Sequence, residues 1–273
     1  MKKRVIRTFV PVSAVAAAFG MAASAQAAPV FEYNFPASWN GTGSTVVDQS
    51  AAGDNGTIIS SPTLDAAVPP LAPGGTQSIN TSTGAILDGT KAALNNATVL
   101  ADGGFTYHLF FNWNGTDLTS FGHTQKLIDY SGTESLQLVT TSGSASLQGT
   151  VTDDAGATTA PVSTTILPNT WYEAAYTFNA TSMVGSDAVG TLNLYVNGAL
   201  VSSASATKGT YGDGLNRPIG VGQLGANFGY LVGFKGDIYD PSVSLLPEPS
   251  TLALGVMGGV SMLGVRRRRR HKA

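Results

Sequence analysis

Short runs of alternating apolar and polar residues limit most strongly how this chain can fold. The clearest run is Phe105–Trp113, and a second extends from Trp171 to Asn179. In the first, one face carries Phe105, Tyr107, Leu109, Phe111 and Trp113; in the second, it carries Tyr172, Ala174, Tyr176 and Phe178. Alternation with a period of two predicts half-buried β-strands, and no long stretch shows the 3.6-residue apolar period of a helix.

Further strands are predicted at intervals of about ten residues, with turn signals between them. They are Lys126–Tyr130, Ser135–Thr141, Ser144–Val151 and Thr191–Val196, and Asn197-Gly198 then turns the chain into Ala199–Val201. Asn-Gly between two apolar runs is the strongest short-range hairpin signal. Many short strands with turn residues predict an all-β fold, a sandwich or a jelly roll.

The N-terminus has the three parts of a secretory signal peptide. Met1–Arg7 is basic, Phe9–Ala23 is apolar and rich in alanine, and Ala25 and Ala27 fit the small-residue cleavage rule. Residues 1–27 are therefore predicted to be a signal peptide, helical until it is removed, and the protein is predicted to be exported.

Residues 245–273 form a second targeting segment. Pro247-Glu248-Pro249 precedes an uncharged stretch, Thr251–Val265, and a basic cluster, Arg266–Arg270. A helix of this length spans roughly 22 Å, which is short for a hydrocarbon core of about 30 Å. Basic residues remain on the cytoplasmic side, so the segment predicts a short transmembrane helix whose N-terminal side faces out.

The order of these parts resembles the PEP-CTERM sorting signal of Gram-negative bacteria. The residues that carry the resemblance are Pro247, Glu248, Pro249, Arg266, Arg267, Arg268, Arg269 and Arg270. The resemblance implies transient anchoring in the inner membrane, cleavage by an exosortase-type membrane protease, and delivery to the cell surface or extracellular matrix. An ordinary C-terminal anchor is the alternative.

The charges are distributed unevenly along the chain. Its formal net charge is −2, but residues 28–244 contain 5 Lys+Arg and 16 Asp+Glu, a charge of about −11. An acidic surface repels phosphate backbones, which argues against a nucleic-acid partner. The chain has no cysteine, so no disulfide can stabilise it.

Residues 28–244 resemble the LamG-like, concanavalin A-like jelly-roll domains. The resemblance rests on Tyr33-Asn-Phe35, Gly41–Asp48, Leu167–Phe178, Leu192–Gly198, Ile219–Gly222 and Phe234–Gly236. It implies two antiparallel sheets of about six or seven strands each. Where the family closes on an acidic residue within its last strand, this chain has Ile238-Tyr-Asp-Pro241, and the proline is expected to end that strand early.

No pattern of catalytic residues is found. Glycosidases of this fold class carry paired carboxylates in an E-x-D-x-x-E pattern, but Glu173 is followed two residues later by Ala175. Lyases of the fold need a convergent arginine, and Arg217 is the only one in residues 28–244. The chain is therefore predicted not to be an enzyme and to have no catalytic residues.

Two candidate binding residues and two candidate metal ligands remain. Trp39, in a Gly/Ser-rich loop, is suited to stack on a sugar ring, and His108 lies on the strand face opposite the Phe105–Trp113 stripe; Trp171 is interpreted as a core residue. The family resemblance implies a structural calcium ion near Asp48 and Asp240. For His108 the alternative is an ordinary exposed or hydrogen-bonded histidine.

The sequence thus predicts an exported, non-catalytic jelly-roll module that binds extracellular polysaccharide. The binding function follows from fold and destination, by analogy. Two alternatives stay open. One is a structural matrix component without a specific ligand, and the other is a polysaccharide-cleaving enzyme with an unrecognised site.

Overall fold

The structure, a computed structural model, describes residues 29–53, 55–70, 75–88, 94–116, 123–130, 134–141, 144–158, 161–210, 219–222 and 232–246. The predicted signal peptide and the sorting segment beyond Leu246 lie outside these residues. Within the described part of the chain, no helix is long and apolar enough to cross a membrane.

The described residues form two antiparallel sheets and one short helix, which confirms the predicted all-β sandwich. The first sheet, called the front sheet, contains β1 (Pro29–Glu32), β4 (Thr63–Asp65), β5 (Ser78–Asn80), β7 (Gly104–Trp113), β12 (Trp171–Val184), β13 (Asp187–Val196), β14 (Ala199–Lys208) and β17 (Gly236–Leu245). Its strand order is β14-β13-β12-β7-β17-β5-β4, and β1 also pairs with β17.

The second sheet, called the back sheet, has nine strands in the described residues. They are β2 (Thr45–Val46), β3 (Gly56–Ser60), β6 (Gly84–Asp88), β8 (His123–Tyr130), β9 (Glu134–Thr141), β10 (Ser144–Val151), β11 (Val162–Ile166), β15 (Ile219–Val221) and β16 (Val232–Gly233). Their order is β11-β10-β9-β8-β15-β6-β3-β2, and β16 pairs with β8 in parallel. The sheets thus exceed the six or seven strands that the resemblance implied, since short strands extend their edges.

The alternating stripes form the core between the sheets. Phe105, Tyr107, Leu109 and Phe111 on β7 are fully buried, as are Tyr176 and Phe178 on the adjacent β12. Rings from the two strands meet edge to face, with 5.5 Å between the centroids of Tyr107 and Tyr176. Such aromatic pairs add stability beyond their buried area, so these stripes fix which faces of β7 and β12 point outward.

The Asn197-Gly198 hairpin forms as predicted between β13 and β14. Asn197 and Gly198 have φ values of 51° and 77°, the left-handed conformation that a two-residue hairpin turn requires. The backbone N–H of Asn197 donates to the carbonyl of Glu173 on β12 at 2.9 Å. The turn is therefore hydrogen-bonded to the backbone of β12 at Glu173.

The prediction that Pro241 ends its strand early is wrong. β17 continues to Leu245, and a register shift between Tyr239 and Ser242 removes Pro241 from the ladder with β7. Asp240 has a φ of 52° at this bulge, and the carbonyl of Pro241 accepts a hydrogen bond from the N–H of Tyr33 at 3.1 Å. Because a bulge leaves a residue unpaired, the missing N–H of proline costs no ladder hydrogen bond.

The core also holds a buried ion pair between the two sheets. Glu134 begins β9 in the back sheet, Lys208 ends β14 in the front sheet, and both are completely buried. Their Oε1 and Nζ atoms are 3.0 Å apart. The helix α1 (Asn96–Ala101) begins beside them, and its Asn96 side chain accepts from Lys208 Nζ at 2.7 Å.

Candidate functional site

The outer face of the front sheet brings together aromatic and acidic side chains from neighbouring strands. His108 and Phe110 lie on the face of β7 opposite its buried stripe, and Trp171 and Glu173 lie on the corresponding face of β12. The register places Glu173 opposite Phe110 and Trp171 opposite Asn112. The four side chains therefore occupy neighbouring positions on one surface.

His108 and Glu173 form a contact diagonally across β7 and β12. The His108 Nε2 atom is 3.1 Å from Glu173 Oε1, and their side chains are 28% and 40% exposed. The ring of Phe110 meets the His108 ring edge to face, with 5.4 Å between the centroids. The imidazole is thus held by a carboxylate and an aromatic ring while still reaching solvent.

Next to this pair is a groove of about 280 Å³. It is lined by Pro69, Pro70, Phe110, Trp171, Tyr172, Glu173 and Asn197. The groove is slightly smaller than the roughly 300–1,000 Å³ typical of drug-sized ligand pockets. Flat apolar walls with a few polar groups can hold a sugar ring, which presents C–H groups on its faces and hydroxyls on its edges.

The polar rim of the groove is held in place by the backbone. Asn197 Oδ1 accepts from the N–H of Glu173 at 3.0 Å, and the Tyr172 hydroxyl accepts from the N–H of Leu167 at 3.1 Å. The Tyr172 ring also stacks on Phe111, with 5.6 Å between the centroids. Because its oxygen accepts from the backbone, the Asn197 side chain has its amide nitrogen left as the donor for a ligand in the groove.

Carboxylates from β17, β1 and the segment after β2 influence one another electrostatically. Burial raises the pKa of Asp240, and the neighbouring His108 partly offsets this shift. Burial also raises the pKa of Glu32, and the negative charges of Asp240 and Asp48 add to the effect. Like charges close together disfavour ionisation of each other. Glu32 is therefore near enough to feel the charges of both Asp48 and Asp240, the two residues predicted to bind calcium.

The Asp48 carboxylate already has donors. Its Oδ1 accepts from the N–H groups of Glu32 at 2.9 Å and Ser50 at 2.8 Å, and its Oδ2 accepts from the Ser50 hydroxyl at 2.6 Å. Across the described ranges, no group of three or more His, Cys, Asp and Glu side chains is placed to hold a metal ion. The described carboxylates thus do not form a calcium cage, and any calcium here would need backbone or water oxygens.

The sequence-predicted binding residues separate in the structure. His108 lies beside the groove, whereas Trp39 is 6% exposed, packs in the hydrophobic core and donates its indole N–H to the carbonyl of Gly43 at 3.2 Å. Trp39 is therefore not part of this surface. The interpretation of Trp171 as a core residue is corrected, since Trp171 is half-buried and lines the groove.

Sequence reasoning missed most of the groove. Phe110, Tyr172, Asn197 and the two prolines come from separate segments, and the pairing of β7 with β12 brings Phe110 next to Tyr172 and Glu173. One signal was available: the alternation that turns Tyr172 and Ala174 toward the core places Trp171 and Glu173 on the opposite face.

The fold is a two-sheet β-sandwich of the concanavalin A-like type, with this groove on the outer face of one sheet. The chain belongs to the concanavalin A-like lectin/glucanases superfamily, whose family model matches residues 87–244. No curated protein sequence is significantly similar to the chain.

Similar solved structures include the binding domain of botulinum neurotoxin serotype D/C, with 14% identity and a TM-score of 0.52 over 82% of this chain and 50% of that one. The same kind of domain in complex with SialylT gives 13% identity and a TM-score of 0.52, over 82% of this chain and 49% of that one. A third structure comes from work on botulinum neurotoxin type C, whose cell entry is described as dependent upon interaction with two ganglioside molecules. It has 14% identity and a TM-score of 0.50, over 84% of this chain and 50% of that one. The chain spans about half the length of these chains, and the similarity is one of fold.

Proposed function

We propose that this protein is an exported, non-catalytic module that binds extracellular polysaccharide in the groove beside His108 and Glu173. The observation that carries the proposal is the arrangement of the Trp171, Phe110 and Tyr172 side chains around one groove, with Glu173 and Asn197 among its lining residues. Aromatic faces bind the apolar faces of sugar rings, while the carboxylate and the amide hydrogen-bond to hydroxyls.

The similar structures support testing a glycan first. The names of two of them refer to SialylT and to ganglioside molecules as ligands of those toxin domains. Their identity to this chain is low, so the argument for a sugar rests on the chemistry of the groove. The superfamily is also named for lectins, which bind sugars.

The absence of catalysis is part of the proposal. Glycosidases place two carboxylates roughly 5–10 Å apart across the scissile bond. Among the described residues that line the groove, Glu173 alone is a carboxylate, and its Oε1 atom lies 3.1 Å from His108 Nε2. This arrangement favours binding, and a polysaccharide-cleaving enzyme remains the alternative to test.

Export and sorting complete the proposed function. The protein would be secreted through cleavage after Ala27, processed at Pro247-Glu248-Pro249 by an exosortase-type protease, and delivered to the cell surface or matrix. The acidic charge of residues 28–244 suits a soluble module outside the cell. Calcium bound near Asp48 and Asp240 remains a separate proposal, tested by calorimetric titration of the protein and its Asp48→Ala variant.

A glycan array tests the binding function. The purified protein is applied to the array once with calcium and once with a chelator. The Trp171→Ala variant is applied in the same two conditions, and the sugars bound by the two proteins are compared. Signals on acidic or neutral polysaccharides that disappear with Trp171 support the proposal. No glycan bound in either condition favours a structural matrix component, and release of reducing ends or unsaturated products indicates an enzyme.

A further inference from the structure

Three reactive side chains meet in the core at a place remote from the groove. Asn96, Glu134 and Lys208 come from α1, β9 and β14, and they are 3%, 0% and 0% exposed. Lys208 Nζ is 2.7 Å from Asn96 Oδ1 and 3.0 Å from Glu134 Oε1. The amine of Lys208 therefore contacts both a carboxamide and a carboxylate without exposure to bulk water.

The surroundings disfavour charge on the amine and the carboxylate. Tyr107 and Tyr176 are fully buried beside them, and burial followed by the charge of Glu134 raises the pKa of both phenols well above the ordinary value. Two charges in such an interior lose their hydration. Transfer of one proton from Lys208 Nζ to Glu134 Oε1 removes both charges and leaves a neutral amine, which is the nucleophilic form of lysine.

The carboxamide of Asn96 is oriented for attack. Its Nδ2 atom donates to the carbonyl of Ser186 at 2.8 Å and to the carbonyl of Lys208 at 3.1 Å. These bonds settle which way the amide points, with Oδ1 toward Lys208 Nζ. The carbonyl carbon Cγ is only about 1.2 Å from Oδ1, so the amine and the amide carbon are held as neighbours and the reaction needs no diffusional encounter.

We propose that Lys208 and Asn96 form an intramolecular isopeptide bond, with Glu134 transferring the protons. The neutral Nζ attacks Cγ of Asn96, and protonated Glu134 donates its proton to the carboxamide oxygen as the tetrahedral intermediate forms. Glu134 then accepts a proton from Nζ and delivers it to Nδ2. The Cγ–Nδ2 bond breaks and ammonia leaves as the hydroxyl of the intermediate returns its proton to Glu134, so a neutral Cγ–Nζ amide and a protonated Glu134 remain. No oxidant, metal or cofactor is consumed.

The bond would give this chain a covalent link that does not require cysteine, a residue it lacks. It would join residues 112 positions apart in the sequence and connect the end of β14 to the start of α1. Linking distant residues restricts the unfolded chain, as disulfides do. It would also leave a neutral amide where the core otherwise holds an ion pair.

Peptide mapping of the full-length protein tests the proposal. Trypsin cuts the unlinked chain after Lys91, Lys126 and Lys208. In the linked protein Lys208 resists cleavage, and the peptide 92–126 is joined to the peptide that runs through Lys208. The mass of the linked species is lower than the summed masses of the two separate peptides by one ammonia, about 17 Da.

Four variants sharpen this test. Glu134→Gln and Lys208→Arg are expected to abolish the linked peptide, whereas Lys126→Arg, at another buried lysine, is expected to retain the link between Asn96 and Lys208. Asn96→Asp loses water instead of ammonia, so its linked peptide should have the same mass as that of the wild type. The proposal is overturned if the folded wild-type protein is cut after Lys208 and yields peptide 92–126 unlinked, with Asn96 intact. This result does not depend on whether the variants fold.

Discussion

His108 Nε2 and Glu173 Oε1 lie 3.1 Å apart on the outer face of the front sheet, although the two residues are not opposite each other in the ladder. Ala175 is the register partner of His108, so the contact is diagonal and uses the reach of both side chains. It places a titratable pair beside an aromatic groove. The pair thus belongs to the surface that would contact a ligand.

Replacing His108 should affect binding more than folding. His108→Ala removes a contact between partly exposed groups, which typically contributes less than about 1 kcal/mol to stability. We expect the free energy of unfolding, measured by urea denaturation, to change by no more than that amount, while the affinity for a bound glycan falls several-fold. A loss of several kcal/mol of stability with unchanged affinity would show a structural role. Glu173→Gln, which retains an acceptor for His108, is the matched variant.

Two neighbouring core tyrosines should respond in opposite ways to loss of the hydroxyl. Tyr176 donates to the carbonyl of Thr150 at 2.7 Å, whereas the buried Tyr107 hydroxyl has no hydrogen-bond partner among the described residues. Tyr176→Phe should lower the free energy of unfolding by about 1 kcal/mol. Tyr107→Phe should leave it unchanged or raise it by a similar amount, because an unsatisfied buried hydroxyl is removed.

Urea denaturation of the two tyrosine variants side by side makes this comparison. Both substitutions keep the ring, so the edge-to-face packing of the pair is preserved. Equal destabilisation of the two variants would mean that the Tyr107 hydroxyl has a stabilising partner in solution.

Asp240 should make stability depend on pH. Burial raises its pKa above 3.8 in the folded protein, so the folded state binds the proton more tightly than the unfolded state does. The free energy of unfolding attributable to Asp240 therefore falls as the pH rises from about 3.8 through the raised pKa. Asp240→Asn removes this dependence, and asparagine tolerates the positive φ at this position.

Unfolding measured at a series of pH values checks the sign of the Asp240 effect. The stability of the variant minus that of the wild type should increase with pH across this window. A difference that stays constant, or that decreases with pH, would be inconsistent with a raised pKa. Asp102→Asn, at the end of α1 and outside the carboxylate cluster, is the control.

The C-terminal segment should be absent from the mature protein. If Pro247-Glu248-Pro249 is a processing signal, mass spectrometry of protein from the cell surface should find a C-terminus near Pro247. Recovery of peptides from the intact Arg266–Arg270 cluster in surface protein would indicate an ordinary anchor instead. Glu248→Ala should reduce processing while leaving export by the N-terminal signal unchanged.

The sequence was sufficient to predict the strands because local patterns determine them. Alternation in Phe105–Trp113 identified its buried face, and Asn197-Gly198 identified a hairpin whose positive φ values the structure confirms. The bulge at Asp240 was missed because the rule for proline describes a regular ladder. A bulge lets the strand continue past such a residue.

The groove and the buried ion pair depend on pairing between distant segments, which no local pattern encodes. Trp171 and Phe110 become neighbours through the register of β12 with β7, residues more than 60 positions apart. Glu134 and Lys208 stand at strand ends, where charged residues usually meet water, and only the packing of one sheet on the other buries them. Trp39 was misplaced for the same reason, since a Gly/Ser-rich loop can fold back onto the core.

The most direct test of the central claim is calorimetric titration of the tightest-binding array glycan into wild type, Trp171→Ala and Met183→Ala. Both variants lose a large apolar side chain from β12, but Met183 lies at the far end of that strand from the groove. We predict that Trp171→Ala weakens binding roughly tenfold or more, as loss of a central aromatic contact does, and that Met183→Ala binds like the wild type. Equal affinity of all three proteins would contradict the assignment of this groove as the binding site.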